Sequence, residues 1–232
     1  MLDSRILIEE KKPPIIIVGH YGSGKTEFVL NYAKKIRAEG KDVNIADMDI
    51  VNPYFRAREF QEKLRREGIG VISSNFESGP HVDTPAMAPS LKMCFQASER
   101  QNIIDVGGDP SGANVLALHA HNLKNKEYDM WLVVNANRPN TSTIEGIKSY
   151  LEKIEEASKL KINGIINTTN MLRETAIEDI LKGDRLVREL SSANNIPVKY
   201  TVFLQEIKSD ISSLDLAGEM FPVNLEVMPE WM

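Results

Sequence analysis

Residues Gly19–Thr26 read Gly-His-Tyr-Gly-Ser-Gly-Lys-Thr, or GHYGSGKT, and fit the pattern G-x-x-x-x-G-K-[ST]. Ahead of them stands PPIIIVG, Pro13–Gly19, a short continuous apolar run of the kind buried on both faces of a parallel sheet. Behind them runs TEFVLNYAKKIRAEG, which sets Phe28, Val29, Tyr32, Ala33 and Ile36 on one helical face and ends at Gly40. A glycine-rich turn between a buried strand and an amphipathic helix is the setting in which this pattern holds phosphate. Gly19, Gly22 and Gly24, with Ser23 among them, let backbone N–H groups turn inward. The helix that follows presents unpaired N–H groups and its positive end. Lys25 then meets the β- and γ-phosphates, and the Thr26 hydroxyl meets Mg2+.

The rest of the chain repeats this alternation. DVNIADMD, IGVISS, QNIIDVGG, DMWLVVNAN, INGIINTTN and VKYTVFL read as strands. Helical patterns run through FRAREFQEKLRREG, SLKMCFQAS, STIEGIKSYLEKIEEASKL and AIEDILKGDRLVRELSSANN, the last interrupted at Gly183. Strand followed by helix throughout predicts a parallel sheet covered on both faces. No repeat, low-complexity tract or linker marks a boundary, so residues 1–232 are expected to form a single nucleotide-binding domain. The Asn75–Pro89 segment, NFESGPHVDTPAMAP, reads as a long loop: either His81 and Asp83 line a second-substrate pocket, or the segment is a connector ordered only by its prolines. The apolar tail MFPVNLEVMPEWM is expected to dock on the domain or at a subunit interface, because it lacks the basic face of a membrane-surface helix.

Bulk composition excludes several classes of function. At 42% hydrophobic and 26% charged residues, the chain has the balance of a soluble globular protein. A net charge of −5 gives no basic field to recommend nucleic acid as a partner. The opening MLDSRILIEEKKPP makes a poor signal peptide, and no run approaches the roughly 18 apolar residues of a membrane span. With one cysteine, Cys94, no disulfide forms within the chain, which suits a cytoplasmic location. Cys94 reads as a small buried hydrophobe. His119 and His121, two apart in a helical segment, diverge and do not make a metal pair.

Acidic residues stand where a nucleotide site needs them. Asp105 in IIDVGG closes a strand, the edge at which open α/β sheets place ligands, and is suited to hold Mg2+ through water. Gly107 and Gly108 let the following backbone approach a γ-phosphate. In ADMDIVNP, Asp47 and Asp49 are two apart and share one side of a strand. One suits the Mg2+ shell, and the other suits orienting an attacking water or hydroxyl.

With these elements in this order, the chain resembles the MinD/ParA-like class of P-loop ATPases, the CobQ/CobB/MinD/ParA nucleotide-binding domains. The likeness runs from about Pro14 to Leu204 and rests on GHYGSGKT, ADMDIVNP and IIDVGGDPSG. It implies a three-layer P-loop NTPase α/β fold with a mostly parallel central sheet. It also implies Mg-ATP as ligand, catalysis by Lys25 with Asp49 or Asp47, and Mg2+ near Thr26, Asp105 and Asp49. Gly108 belongs to the second switch, and Asn167 in GIINTTN is placed to read adenine. The guanine-reading pattern N-K-x-D is only half met, since Thr168 replaces lysine and Asn170 replaces aspartate.

The chain departs from the class at His20, where a lysine usually reaches the nucleotide of a partner subunit. Histidine is shorter and carries no fixed charge, so either the charge comes from elsewhere, with Arg56, Arg58 and Arg138 as candidates, or no nucleotide-sandwiched dimer forms. The resulting expectation is an ATPase acting as a switch or loading factor for a protein partner, a homodimer among the possibilities. The alternatives are an ATP-dependent small-molecule kinase or ligase, and an ATP-binding scaffold without turnover.

Overall fold

A computed structural model describes residues 11–48, 61–73, 89–108, 110–123 and 127–226. Its frame is an eight-stranded sheet: β1 (Ile15–Gly19), β2 (Val43–Met48), β3 (Ile69–Ser73), β4 (Gln101–Val106), β5 (Asp129–Val134), β6 (Gly164–Asn167), β7 (Val198–Leu204) and β8 (Glu219–Val223). The spatial order is β3-β2-β4-β1-β5-β6-β7-β8, and every neighbouring pair is parallel. This is the α/β fold of P-loop NTPases. From β1 the chain runs out to β2 and β3, returns to β4 beside β1, then crosses to β5 on the other side of β1, so the strand order reverses there and opens a crevice at the carboxyl ends.

Side chains of the central strand alternate between two apolar layers. Ile16 and Val18 face one core, and Ile15 and Ile17 face the other. Helices α1 (Lys25–Ala38) and α2 (Gln61–Arg66) cover the second. Helices α3 (Pro89–Cys94), α4 (Pro110–Leu123), α5 (Ile144–Ser158) and α6 (Ile177–Asn194) cover the first. A short α7 (Lys208–Ile211) closes a smaller cluster in which Ile211 meets Phe203 and Ile180. Beneath α1, Phe28, Tyr32, Trp131, Tyr200 and Phe221 pack ring against ring, with Phe28 and Tyr32 stacked at 5.3 Å between centroids. Burial there, helped by a hydrogen bond with Tyr200, pushes the Tyr32 phenol above its ordinary value.

Two elements differ from expectation. Helix α6 is not interrupted at Gly183 but runs through it. The glycine serves close packing: a β-carbon there would lie 2.1 Å from Thr169 Oγ1 and 2.4 Å from Asn167 Oδ1. The tail also contributes β8, an eighth strand at the sheet edge, where Pro222 leaves no inner ladder short of a donor. Beyond β8, Glu226 lies 2.6 Å from Lys34 and 2.9 Å from Lys63, so the tail docks on α1 and α2 as far as it is described. Residues 227–232, and the expected helix before Gln61, lie outside the described residues. Among the described residues, no helix is long and apolar enough to cross a membrane.

Cys94 is buried among Leu91, Phe95 and the β4 side of the core, and burial pushes its thiol up to about 11. The thiolate is the reactive form, so at pH 8 the native protein is expected to react with a thiol reagent far more slowly than the unfolded chain. Equal rates would show that the α3 region opens readily.

Candidate functional site

The crevice beside β1 is lined first by the Gly19–Lys25 loop. Gly24 takes a left-handed φ of 91° at the N-cap of α1, a conformation that costs a side chain dearly. The loop curls so that Ser23 N donates to His20 O at 3.1 Å. Lys25 Nζ donates to the same carbonyl at 3.1 Å. Lys25 is only 8% exposed, so its ammonium sits inside the curl of the loop rather than in bulk water.

Strands β2 and β4 bring in the acids. Asp47 and Asp105 are register partners, and their neighbours two residues back, Ile45 and Ile103, pack under α1. Both carboxylates therefore project to the α1 face. They are 2% and 3% exposed. Thr26 Oγ1, in the first turn of α1, donates to Asp105 Oδ2 at 3.0 Å. A hydroxyl and carboxylates, all hard oxygen donors, thus meet beside the lysine. Such a set fits Mg2+, which keeps several waters and needs few protein ligands. Among the described residues, no three His, Cys, Asp or Glu side chains form a metal cage. Asp49 lies outside the described residues, as do Arg56, Arg58 and residues 75–88 of the long loop read as either a second-substrate wall or a connector.

Gly108 touches the phosphate loop directly. Its carbonyl accepts from Tyr21 N at 3.0 Å and from the Tyr150 hydroxyl at 3.2 Å. His20 joins the same network. Its Nδ1 lies 2.9 Å from the Tyr21 carbonyl, its Nε2 lies 2.7 Å from Asn140 Nδ2, and its ring meets that of Tyr150 edge-on at 5.7 Å. Both ring nitrogens are engaged within the chain, so His20 ties the loop to the start of α5.

The far wall is the segment after β6. Asn167 is 1% exposed and turned toward α6. Its Oδ1 accepts from Thr169 N at 3.1 Å and Thr169 Oγ1 at 2.8 Å. Its neighbour Thr168 reaches the phosphate loop, its hydroxyl donating to Ser23 O at 2.6 Å. Nothing in NTTN distinguishes the two threonines as sequence; the turn after β6 does so by aiming one at the loop and the other under the helix. After β5, Arg138 Nε donates to Gly22 O at 2.8 Å. Beside it opens a cleft of about 410 Å3 lined by Arg138, Pro139, Met171, Asp179 and Lys182. His119 stacks on Phe95 at 4.4 Å, away from this crevice, and the side chain of His121 lies outside the described residues.

No family model and no curated protein matches the chain. Solved structures do match it in fold. FtsY from Thermotoga maritima superposes with a TM-score of 0.56 at 24% identity, covering 86% of this chain and 64% of that one. The signal recognition particle receptor FtsY from Elizabethkingia anophelis in complex with GDP gives 0.52 at 18%, covering 85% and 59%. FlhF complexed with GTP/Mg2+ gives 0.54 at 15%, covering 82% and 65%. The chain spans about three-fifths of the length of such structures, with 59% of one and 64% of another matched. What they share with it is the P-loop NTPase fold.

Proposed function

We propose that this chain is a Mg2+-dependent purine nucleoside triphosphatase that works as a nucleotide-dependent switch for a protein partner, a second copy of itself included. The observation that carries the reading is the meeting of Lys25, the Thr26 hydroxyl and Asp105 at the mouth of the loop, with Thr26 and Asp105 at 3.0 Å. Lys25 supplies fixed positive charge for the outer phosphates, and the backbone N–H groups of Gly22 and Gly24, joined by that of Ser23 once it leaves the His20 carbonyl, cradle the inner ones. Bound there, Mg2+ neutralises charge on the transferred group; Thr26 and Asp105, with Asp47 or Asp49, are the residues to hold it. Asp49 or Asp47 orients the attacking water. Gly108 is the switch: its contact with Tyr21 N must rearrange when a triphosphate fills the loop, and α4 begins two residues later. The three motifs in order support a MinD/ParA-like member of this fold. One eight-stranded sheet from Ile15 to Val223 supports a single domain.

The base reading is broader than adenine. Bidentate recognition of adenine by an asparagine needs its Oδ1 to accept from N6–H. In Asn167 that oxygen already accepts from Thr169 N, a donor whose identity no amide flip changes. Guanine therefore competes on equal terms, in line with the FlhF structure complexed with GTP/Mg2+. Calorimetry is expected to show both Mg-GTP and Mg-ATP binding, with GTP at least as tight. Asp105→Asn or chelation of Mg2+ should weaken triphosphate binding about tenfold or more. Failure of both nucleotides to bind the wild-type chain would overturn the proposal.

A further inference from the structure

We infer that Arg138 is an intramolecular arginine for the outer phosphates, so that the triphosphate is read without a cation from another subunit. The inference rests on the nucleotide reading above and adds a residue that the phosphate-loop pattern does not contain. Its guanidinium lies on the middle of the phosphate loop. Nε donates to Gly22 O at 2.8 Å, and a β-carbon on Gly22 would lie 3.4 Å from Nε, 3.5 Å from Cζ and 3.6 Å from Nη2. One nitrogen of the fork thus holds the loop while the terminal nitrogens retain donors in a plane. Among the described residues, no carboxylate lies within ion-pair distance of Arg138, although Asp179 lines the same cleft. Asp179 is engaged elsewhere, accepting from Asn137 Nδ2 at 2.8 Å and Ala176 N at 2.9 Å.

The segment that carries the arginine is fixed on both sides. Arg138 N donates to Asn135 O at 3.1 Å, and Thr141 N returns to Arg138 O at 3.0 Å. Thr141 Oγ1 donates to Asn135 O at 2.7 Å, Pro139 starts the 3-10 turn, and Lys182 Nζ donates to Asn137 Oδ1 at 3.0 Å. A cation held this firmly over a phosphate loop loses little freedom when it meets an anion. In hydrolysis, the water oxygen bonds to the γ-phosphorus as the bond from that phosphorus to the β–γ bridging oxygen breaks. The bridging oxygen keeps the electron pair, and the proton of the water passes to the released phosphate or to solvent. Negative charge therefore grows on the leaving diphosphate, and a fixed arginine opposes that charge.

The test compares wild type, Arg138→Ala and Arg138→Lys in calorimetry with a non-hydrolysable guanosine triphosphate analogue and with GDP, both with Mg2+. In Arg138→Ala the preference for triphosphate over diphosphate should fall about tenfold or more, with diphosphate affinity within about twofold. Turnover should fall about a hundredfold or more in kcat, with KM for the triphosphate rising in step with its weakened binding, and added guanidinium ion should restore part of both. Arg138→Lys should recover only a fraction, because an ammonium lacks the fork. Equal loss of triphosphate and diphosphate affinity, without rescue, would make Arg138 a brace for Gly22 and overturn the assignment. An unchanged ratio would overturn it too. If wild type binds neither nucleotide, the underlying nucleotide reading falls, and this assignment falls with it.

Discussion

Replacing Lys25 by alanine is expected to lower triphosphate turnover about a thousandfold and triphosphate affinity at least about tenfold, while leaving the fold intact. The ammonium sits within the loop at 8% exposure, its Nζ donating to the His20 carbonyl at 3.1 Å. No other lysine or arginine among the described residues shares that position: Arg138 approaches the same loop from outside, at Gly22. Removing Lys25 takes away the one fixed charge inside the curl. Core packing is untouched, because Phe28, Val29 and Ala33 continue to hold α1 on the sheet. Turnover by single-turnover kinetics and melting temperature by calorimetry separate the two effects. A variant that turns over within about tenfold of wild type would remove Lys25 from the chemistry and with it the reading of the loop.

Gly183→Ala is expected to destabilise the protein by about 2 to 4 kcal/mol, against the gain of about 1 kcal/mol that alanine brings to an ordinary helix interior. The new methyl would lie 2.1 Å from Thr169 Oγ1, 2.4 Å from Asn167 Oδ1 and 2.6 Å from Thr169 Cβ. Those atoms are not free to yield. Thr169 Oγ1 accepts from Ala136 N at 3.0 Å and donates to Asn167 Oδ1 at 2.8 Å, so displacing it breaks buried hydrogen bonds on two loops. The strain should also reach the crevice, since the adjacent Thr168 ties this turn to Ser23 O. Chemical denaturation measures the first effect and nucleotide affinity the second. A neutral or stabilising Gly183→Ala would show that the Asn167–Thr169 turn is soft and does not position the loop.

Much of this architecture is legible along the chain. β1, the phosphate loop and α1 follow from a local pattern: an apolar β-branched run, glycines at fixed offsets, then a helical apolar stripe. The acids at 47 and 105 are visible because they end apolar runs. Gly183 is a different case, since a glycine in a helical stretch reads as a break unless the partner beneath it is known. β8 was hidden because MFPV contains a proline and reads as a strand only once β7 offers it an open edge. The orientation of the Asn167 amide was not legible either, since it is set by Thr169 and by the absence of a β-carbon at Gly183.

Strand–helix alternation, the phosphate loop and the supply of hard oxygen ligands follow from local sequence, because each is written in neighbouring residues whose spacing the backbone repeats convert directly into geometry. Which distant residues meet at the loop depends on how the strands pack. Arg138 reaches Gly22, Tyr150 reaches Gly108 and Thr168 reaches Ser23 across separations of 116, 42 and 145 residues. No local pattern encodes those contacts: the order β4-β1-β5-β6 sets these strand ends side by side, and the turns leaving each strand aim the side chains.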